Sequence, residues 1–356
     1  MTTPEPKTLH LVGIGVTHSI APAMHNYIAK SLGLPWTFHA TECPSLSDVL
    51  ALARGPATAG LVVTMPYKNP IIPHLDELDE LVETIGACNN VYYTYNHTPP
   101  NPAIPEKNER KTPAVRLHGT NTDWRGIKGC LLEAGDDSAR PTATRPGAAL
   151  IVGAGGACRA AVYALSRHLH CGVVYVVNRD EEEVRGLVRD VQARGRARNS
   201  LTGEGETAGY SPGSGPGPEI IHIRSVEEAE RSVLQKPYYI VGTVPDLEPK
   251  TDGERVVAEV LEWFLKTGEI SSTSTTDTST RKQGVVLDMC FKPRRTRMLR
   301  LAERLGWPVV EGTHVIGYQI EEQWRLWAGE EAAAKMDREG AWRVLLQAAE
   351  ESTAIN

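Results

Sequence analysis

Residues 149–157 read Ala-Leu-Ile-Val-Gly-Ala-Gly-Gly-Ala, an apolar run that breaks into a glycine-rich turn. Helical spacing follows over 156–168, a second apolar run over 172–177 and another helical stretch over 181–193. A buried strand, a tight turn, a helix and a second strand about 20–25 residues on are the context of a dinucleotide-binding turn in an α/β unit. Only glycine tolerates such a turn and lets backbone N–H groups approach a pyrophosphate, while the helix start adds partial positive charge. Gly153, Gly155, Gly156 and Ala157 are therefore the candidate dinucleotide-binding residues.

The part before this segment also alternates. Strands are expected over 9–16, 36–41, 60–64 and 90–94, and helices over 19–34, 45–54 and 77–85. Ser45 and Asp48 have the spacing of a capping box, and Pro22 stands near a helix start. This is the pattern of a parallel α/β sheet. With 356 residues, about two domains are expected. The stretches 97–113, 194–219 and 271–280 are rich in Pro, Asn, Gly, Ser or Thr and are expected as surface loops. A strand is expected over 285–288 and mostly helix from Thr313 onward, with Trp324 and Trp327 as core residues of that helix.

Composition narrows the function. The chain is 41% hydrophobic and 23% charged with a net charge of −6, which argues against wrapping nucleic acid or lying on a membrane. No apolar run reaches the ~18 residues of a membrane span, and no secretory leader is evident. The six cysteines are far apart, with no Cys-x-x-Cys pair, so a reduced, cytoplasmic chain without a structural metal is expected. Cys88 is expected as a small buried residue and His25 as a structural one.

Asn178 and Arg179 end the second strand of the nucleotide segment. An arginine there suits the 2′-phosphate of NADP; an acidic residue suits the free ribose of NAD. Both are present, and the acids from Asp180 to Glu183 incline the expectation toward NAD, although negative charge also suits a helix start by itself. Lys68 lies just past the 60–64 strand, where open α/β sheets bind ligands, and Asp123 stands near the expected domain junction. A lysine held by a carboxylate can exchange a proton with an alcohol while hydride moves to nicotinamide.

With those residues in place, the chain resembles the shikimate/quinate dehydrogenase family over nearly its whole length. The resemblance is carried by residues 13–26, Val63-Thr-Met-Pro-Tyr-Lys68, Ile85-Gly-Ala-Cys-Asn-Asn90 and Asn121-Thr-Asp-Trp-Arg-Gly126. It continues through 153–160, Asn178-Arg179, 288–296 and His314-Val-Ile-Gly-Tyr-Gln319. The resemblance implies reversible NAD(P)-dependent oxidation of a ring hydroxyl, with Lys68 as catalytic base and Asp123 as its carboxylate partner. It implies Ser19, Thr64, Asn89 and Gln319 as substrate ligands, and nicotinamide near Gly317 and Thr243. It further implies a substrate domain (1–121 and 315–356, the C-terminal helices returning to it), a Rossmann domain (122–314), and a cleft that holds substrate against nicotinamide. The partner is then a small molecule, quinate or shikimate, and the chain a monomer or homodimer.

Three positions depart from the family pattern. A second serine is replaced by Ala21, an asparagine by Val62, and Asn-Ala-Thr reads Val241-Gly242-Thr243. A lost partner for a carboxylate costs roughly 1.5–3 kcal/mol, which favours quinate over shikimate. A dehydrogenase of the same fold for another hydroxy-acid, and a sensor that binds without turnover, are the alternatives. Retention of both Lys68 and Asp123 argues against the sensor.

Overall fold

A computed structural model describes residues 5–95, 115–201, 217–268 and 284–355, with the side chains of 95 and 194–201 left aside. The expected loops at 97–113 and 271–280 lie outside these residues. The chain divides into two compact units, one of Met1–Glu83, Ala87–Asn121 and Glu321–Arg338, the other of Thr84–Gly86, Thr122–Ile320 and Glu339–Asn356.

The first unit is built on a six-stranded sheet of β1 (Lys7–Gly13), β2 (Trp36–Glu42), β3 (Thr58–Val63), β4 (Glu77–Leu78), β5 (Asn90–Tyr95) and β6 (Val115–Thr120), in the order β2-β1-β3-β5-β6-β4. Helices α1 (Ala21–Ser31), α2 (Leu46–Ala53) and α3 (Glu80–Ile85) connect the strands. The Ser45–Asp48 capping box forms at the start of α2. The sheet is not wholly parallel: β5 runs antiparallel to both β3 and β6. The expected helix over 77–85 is shorter, because Glu77–Leu78 pairs with His118–Gly119 on β6 first.

The second unit contains β7 (Gly147–Val152), β8 (Cys171–Val177), β9 (Glu219–His222), β10 (Pro237–Gly242), β11 (Val285–Asp288) and β12 (Val309–Val310). All pairs are parallel, in the order β9-β8-β7-β10-β11-β12. That is the doubly wound order 3-2-1-4-5-6, whose direction reverses between β7 and β10. Its helices are α4 (Asp123–Ala134), α5 (Gly156–Arg167), α6 (Glu181–Leu201), α7 (Val226–Ser232), α8 (Asp252–Thr267), α9 (Arg297–Arg304) and α10 (Gly312–Gly317). The core gathers Leu150, Tyr175, Ile240, Phe264, Val286, Leu299 and Trp307. The expected loop from 194 is helical as far as Leu201, since α6 runs on past 193.

After α10 come α11 (Ile320–Ala328), α12 (Glu330–Lys335) and α13 (Arg338–Glu351). Of the expected return of 315–356, Glu321–Arg338 groups with the first unit and the rest with the second. The cause is packing: Trp342 lies against Gly317, and the Arg294 N–H donates to the Ile355 carbonyl.

In the first unit Trp324 and Trp327 are core residues, as expected. Trp324 Nε1–H donates to His25 Nδ1 (3.1 Å), and the His25 ring stacks on Phe38 with centroids 4.2 Å apart. Burial lowers the His25 pKa to about 3. The folded state therefore keeps His25 neutral where the unfolded chain, with a pKa near 6.5, takes up a proton. Stability is lost as pH falls from about 6.5 toward 3, and His25 alone should cost about 2 kcal/mol between pH 7 and 5. Urea unfolding of the wild type and His25→Asn at those two pH values measures this; equal pH dependence would disprove it.

Candidate active site

In the first unit β1 and β3 end side by side, and β5 starts at the same edge, since Val62 pairs with Asn90. The Thr64 N–H donates to the Val12 carbonyl (2.9 Å), the Val63 N–H to Asn89 (2.7 Å) and the Cys88 N–H to Lys68 (2.8 Å). Thr64, Lys68 and Asn89 are thereby fixed to one carboxyl-end sheet edge, the ordinary ligand position of such sheets. Asn89 is buried and Lys68 half-buried. Gly13 permits the approach of the 64–68 turn, because a Cβ there would lie 2.4 Å from Thr64 Cγ2.

Ser19 lies on the loop after β1, and its Oγ accepts from the Ala21 N–H (3.3 Å) at the start of α1. Glu42, at the end of β2, accepts from the N–H groups of Gly15 (2.6 Å) and Val16 (3.0 Å). Sequence reasoning misses this clamp on the Ser19 loop. Its residues are distant in the chain, and a strand-end glutamate carries no local signal.

In the second unit Asp123 is the buried first residue of α4, where the helix N-terminus favours a carboxylate. Gln319 is also buried; its Oε1 accepts from Thr122 Oγ1 (2.6 Å) and its Nε2 donates to the Val315 carbonyl (3.1 Å). A carbonyl can only accept, so these two partners settle which way the amide faces. Gly126 makes room for this arrangement, since a Cβ there would lie 2.6 Å from the Val315 oxygen. Gly317 is glycine for a packing reason, with Trp342 filling its Cβ direction at 2.5 Å.

The nucleotide segment forms the reversal of the sheet. The Gly153 N–H donates to the Val177 carbonyl (2.9 Å), and the Thr243 N–H and Oγ1–H both donate to the Val152 carbonyl (2.9 and 2.8 Å). Gly153 has φ +114°, and a Cβ on it would meet Thr243 Oγ1 at 2.5 Å. Gly155 is exposed at the N-cap of α5, makes no side-chain cap and has open space around it, and the first turn, with Gly156 and Ala157, carries no acid. Helix-start N–H groups left without a side-chain cap, with no acid to repel a pyrophosphate, fit a dinucleotide.

Beyond β8, Asn178 Nδ2 donates to the Asp180 carbonyl and to Glu183 Oε2 (both 2.9 Å). Asp180 Oδ1 caps α6 by accepting from the Glu182 (2.9 Å) and Glu183 (3.3 Å) N–H groups. Arg179 pairs with Glu254, which the N–H groups of Lys250 and Thr251 hold down at a pKa of about 2. Arg159 turns to Asp190 on α6 (2.7 Å). Cys88 is buried, its Sγ–H donating to the Asn90 carbonyl (3.4 Å). Among the described residues no group of three or more His, Cys, Asp or Glu could hold a metal ion, and no helix is long and apolar enough to cross a membrane.

The chain is similar to several known proteins. Residues 11–91 match the family model of the shikimate dehydrogenase substrate binding domain. Quinate dehydrogenase of Emericella nidulans is 31% identical over 337 residues, covering 92% of this chain and 89% of the relative. The dehydroquinate dehydratase and shikimate dehydrogenase of S. pombe superposes with a TM-score of 0.62 at 24% identity, and 96% of this chain spans only 53% of that protein. Quinate dehydrogenase from Corynebacterium glutamicum, solved in complex with NAD, superposes with a TM-score of 0.62 at 21% identity, covering 96% of this chain and all of the other. At those identities the structural likenesses establish the α/β fold.

Proposed function

The chain belongs to the shikimate/quinate dehydrogenase family, and on that premise we propose that it reversibly oxidises a ring hydroxyl of quinate, in preference to shikimate, with NAD as cofactor. The observation that carries the reading is the glycine turn at the reversal of a doubly wound sheet, with the α5 start left uncapped by side chains. The relative at 31% identity is a quinate dehydrogenase, which supports the substrate class. Bound there, NAD supplies a hydride acceptor.

The chain's own residues do the rest. Lys68 takes the hydroxyl proton at Nζ during oxidation and returns it during reduction; Asp123 is the carboxylate partner that the family motif assigns to it. Ser19, Thr64 and Asn89 offer hydroxyl and amide groups suited to a polyhydroxylated acid. Gln319 adds an amide whose direction Thr122 and Val315 set. Gly153, Gly155, Gly156 and Ala157 would hold the pyrophosphate of a bound NAD, Thr243 and Gly317 would serve its nicotinamide side, and Asn178 and Arg179 its adenosine ribose.

The preference for NAD rests on Arg179. Its guanidinium is already engaged by Glu254, so a 2′-phosphate would meet a neutralised arginine and a nearby carboxylate. Initial rates with quinate and shikimate, each crossed with NAD and NADP, test the proposal. Quinate with NAD should be fastest, with kcat/KM at least about tenfold above NADP. Glu254→Gln should narrow that cofactor ratio several-fold by releasing Arg179. No nicotinamide reduction in any of the four combinations would refute the function.

A further inference from the structure

Asp288 ends β11 with its carboxylate buried. Oδ2 accepts from Thr296 Oγ1 (2.7 Å) and Oδ1 from the Cys290 N–H (3.1 Å). The carboxylate also lies against the last residue of β10: a Cβ on Gly242 would stand 2.6 Å from Asp288 Oδ1 and 2.8 Å from Met298 Sδ on α9. The Met289 N–H donates to the Gly242 carbonyl (2.9 Å), and Thr296 caps α9 by accepting from the Leu299 N–H (3.3 Å). One carboxylate thus joins the end of β10, the turn after β11 and the start of α9. Glycine at 242, where the family pattern has alanine, leaves the space that it occupies.

In a doubly wound sheet β10 to β12 form the second mononucleotide half, the side that takes nicotinamide. We infer that Asp288 is a positioning residue for the nicotinamide half of the cofactor, holding the end of β10 and the loop after β11 in one fixed arrangement. The inference rests on the cofactor reading above and extends it to a residue outside the glycine turn.

Energetics point the same way. Burial raises the Asp288 pKa to about 6, and Asp246, on the loop after β10, adds to the rise. The neighbouring titratable group on its own loop is the Cys290 thiol, which burial also pushes up. The folded state therefore binds a proton that the unfolded chain, with a carboxylate pKa near 3.9, does not bind between about pH 4 and 6. Stability from this site rises as pH falls through 6, so the ionised carboxylate opposes folding at neutral pH. A side chain kept there only for stability would be better neutral.

The experiment titrates NADH by fluorescence against the full-length wild type, Asp288→Asn, Thr296→Val and Thr296→Ser, with thermal unfolding and steady-state rates alongside. Asp288→Asn cannot accept both hydrogen bonds in the native geometry. It should weaken NADH binding about tenfold, change the KM for quinate less than about twofold, and leave the unfolding midpoint at pH 7.5 equal or higher. Thr296→Val should weaken NADH binding in the same sense, and Thr296→Ser should restore it. Wild-type affinity should fall from pH 8 to 5.5, and Asp288→Asn should lose that dependence. Unchanged NADH affinity in Asp288→Asn, or affinity lost only in step with a lower unfolding midpoint, would overturn the inference while leaving the cofactor reading intact. If Asp288→Asn fails to fold, the threonine pair decides the matter in the same way. A wild type that binds neither NADH nor NADPH would overturn both.

Discussion

Replacing Lys68 by alanine is expected to lower kcat for quinate oxidation by on the order of a hundredfold or more, while NADH binding and the unfolding midpoint stay at wild-type values. The side chain is half-buried, and the contact that Lys68 makes to its own sheet edge, the acceptance of the Cys88 N–H, belongs to its backbone carbonyl. Alanine keeps that bond and removes the side chain beyond Cβ, the amine included. Lys68→Arg should not restore turnover, because a guanidinium does not give up its proton in a protein. Initial rates at the nicotinamide absorbance band read the effect. Full turnover by Lys68→Ala would remove Lys68 from the chemistry and leave the fold untouched.

The largest stability effect is expected at Gly60. A Cβ at this position of β3 would lie 2.2 Å from Trp327 Nε1 and 2.3 Å from its Cδ1. The indole cannot easily retreat, because Nε1–H donates to Asn90 Oδ1 (3.0 Å) and to the Val91 carbonyl (3.3 Å). Gly60→Ala therefore either overpacks the site or breaks those bonds and leaves a buried amide oxygen without its donor. Overpacking costs typically 1–3 kcal/mol and an unsatisfied buried group a similar amount, so whichever way the site responds a loss of about 1–3 kcal/mol is expected in urea unfolding. A loss below about 1 kcal/mol would mean that the indole is not a fixed part of this core.

Several elements are legible in the amino-acid sequence. The apolar run 149–152, the glycines after it and the helical spacing of α5 specify a strand, turn and helix through local geometry alone. The pairing of Ser45 with Asp48 is similarly local, and so is the capping box of α8, formed by Thr251 with Glu254. By contrast, β6 is identifiable mainly through its partner β5, and the two-residue β4 only through β6. The acids after Arg179 suggest a ribose ligand, yet Asp180 caps α6 and Glu183 holds Asn178. Both uses of negative charge at a helix start fit the same letters.

By itself, the sequence determined the α/β class and the glycine turn after β7, and it offered Lys68 and Asp123 as candidates, because these depend on periodicity, backbone sterics and short motifs. Only the tertiary structure decided the antiparallel course of β5, the division of the C-terminal helices and the partners of Gln319, Glu42 and Asp288. Hydrogen bonds and close packing between residues far apart in the chain depend on where the backbone brings them, and no local propensity encodes that distance.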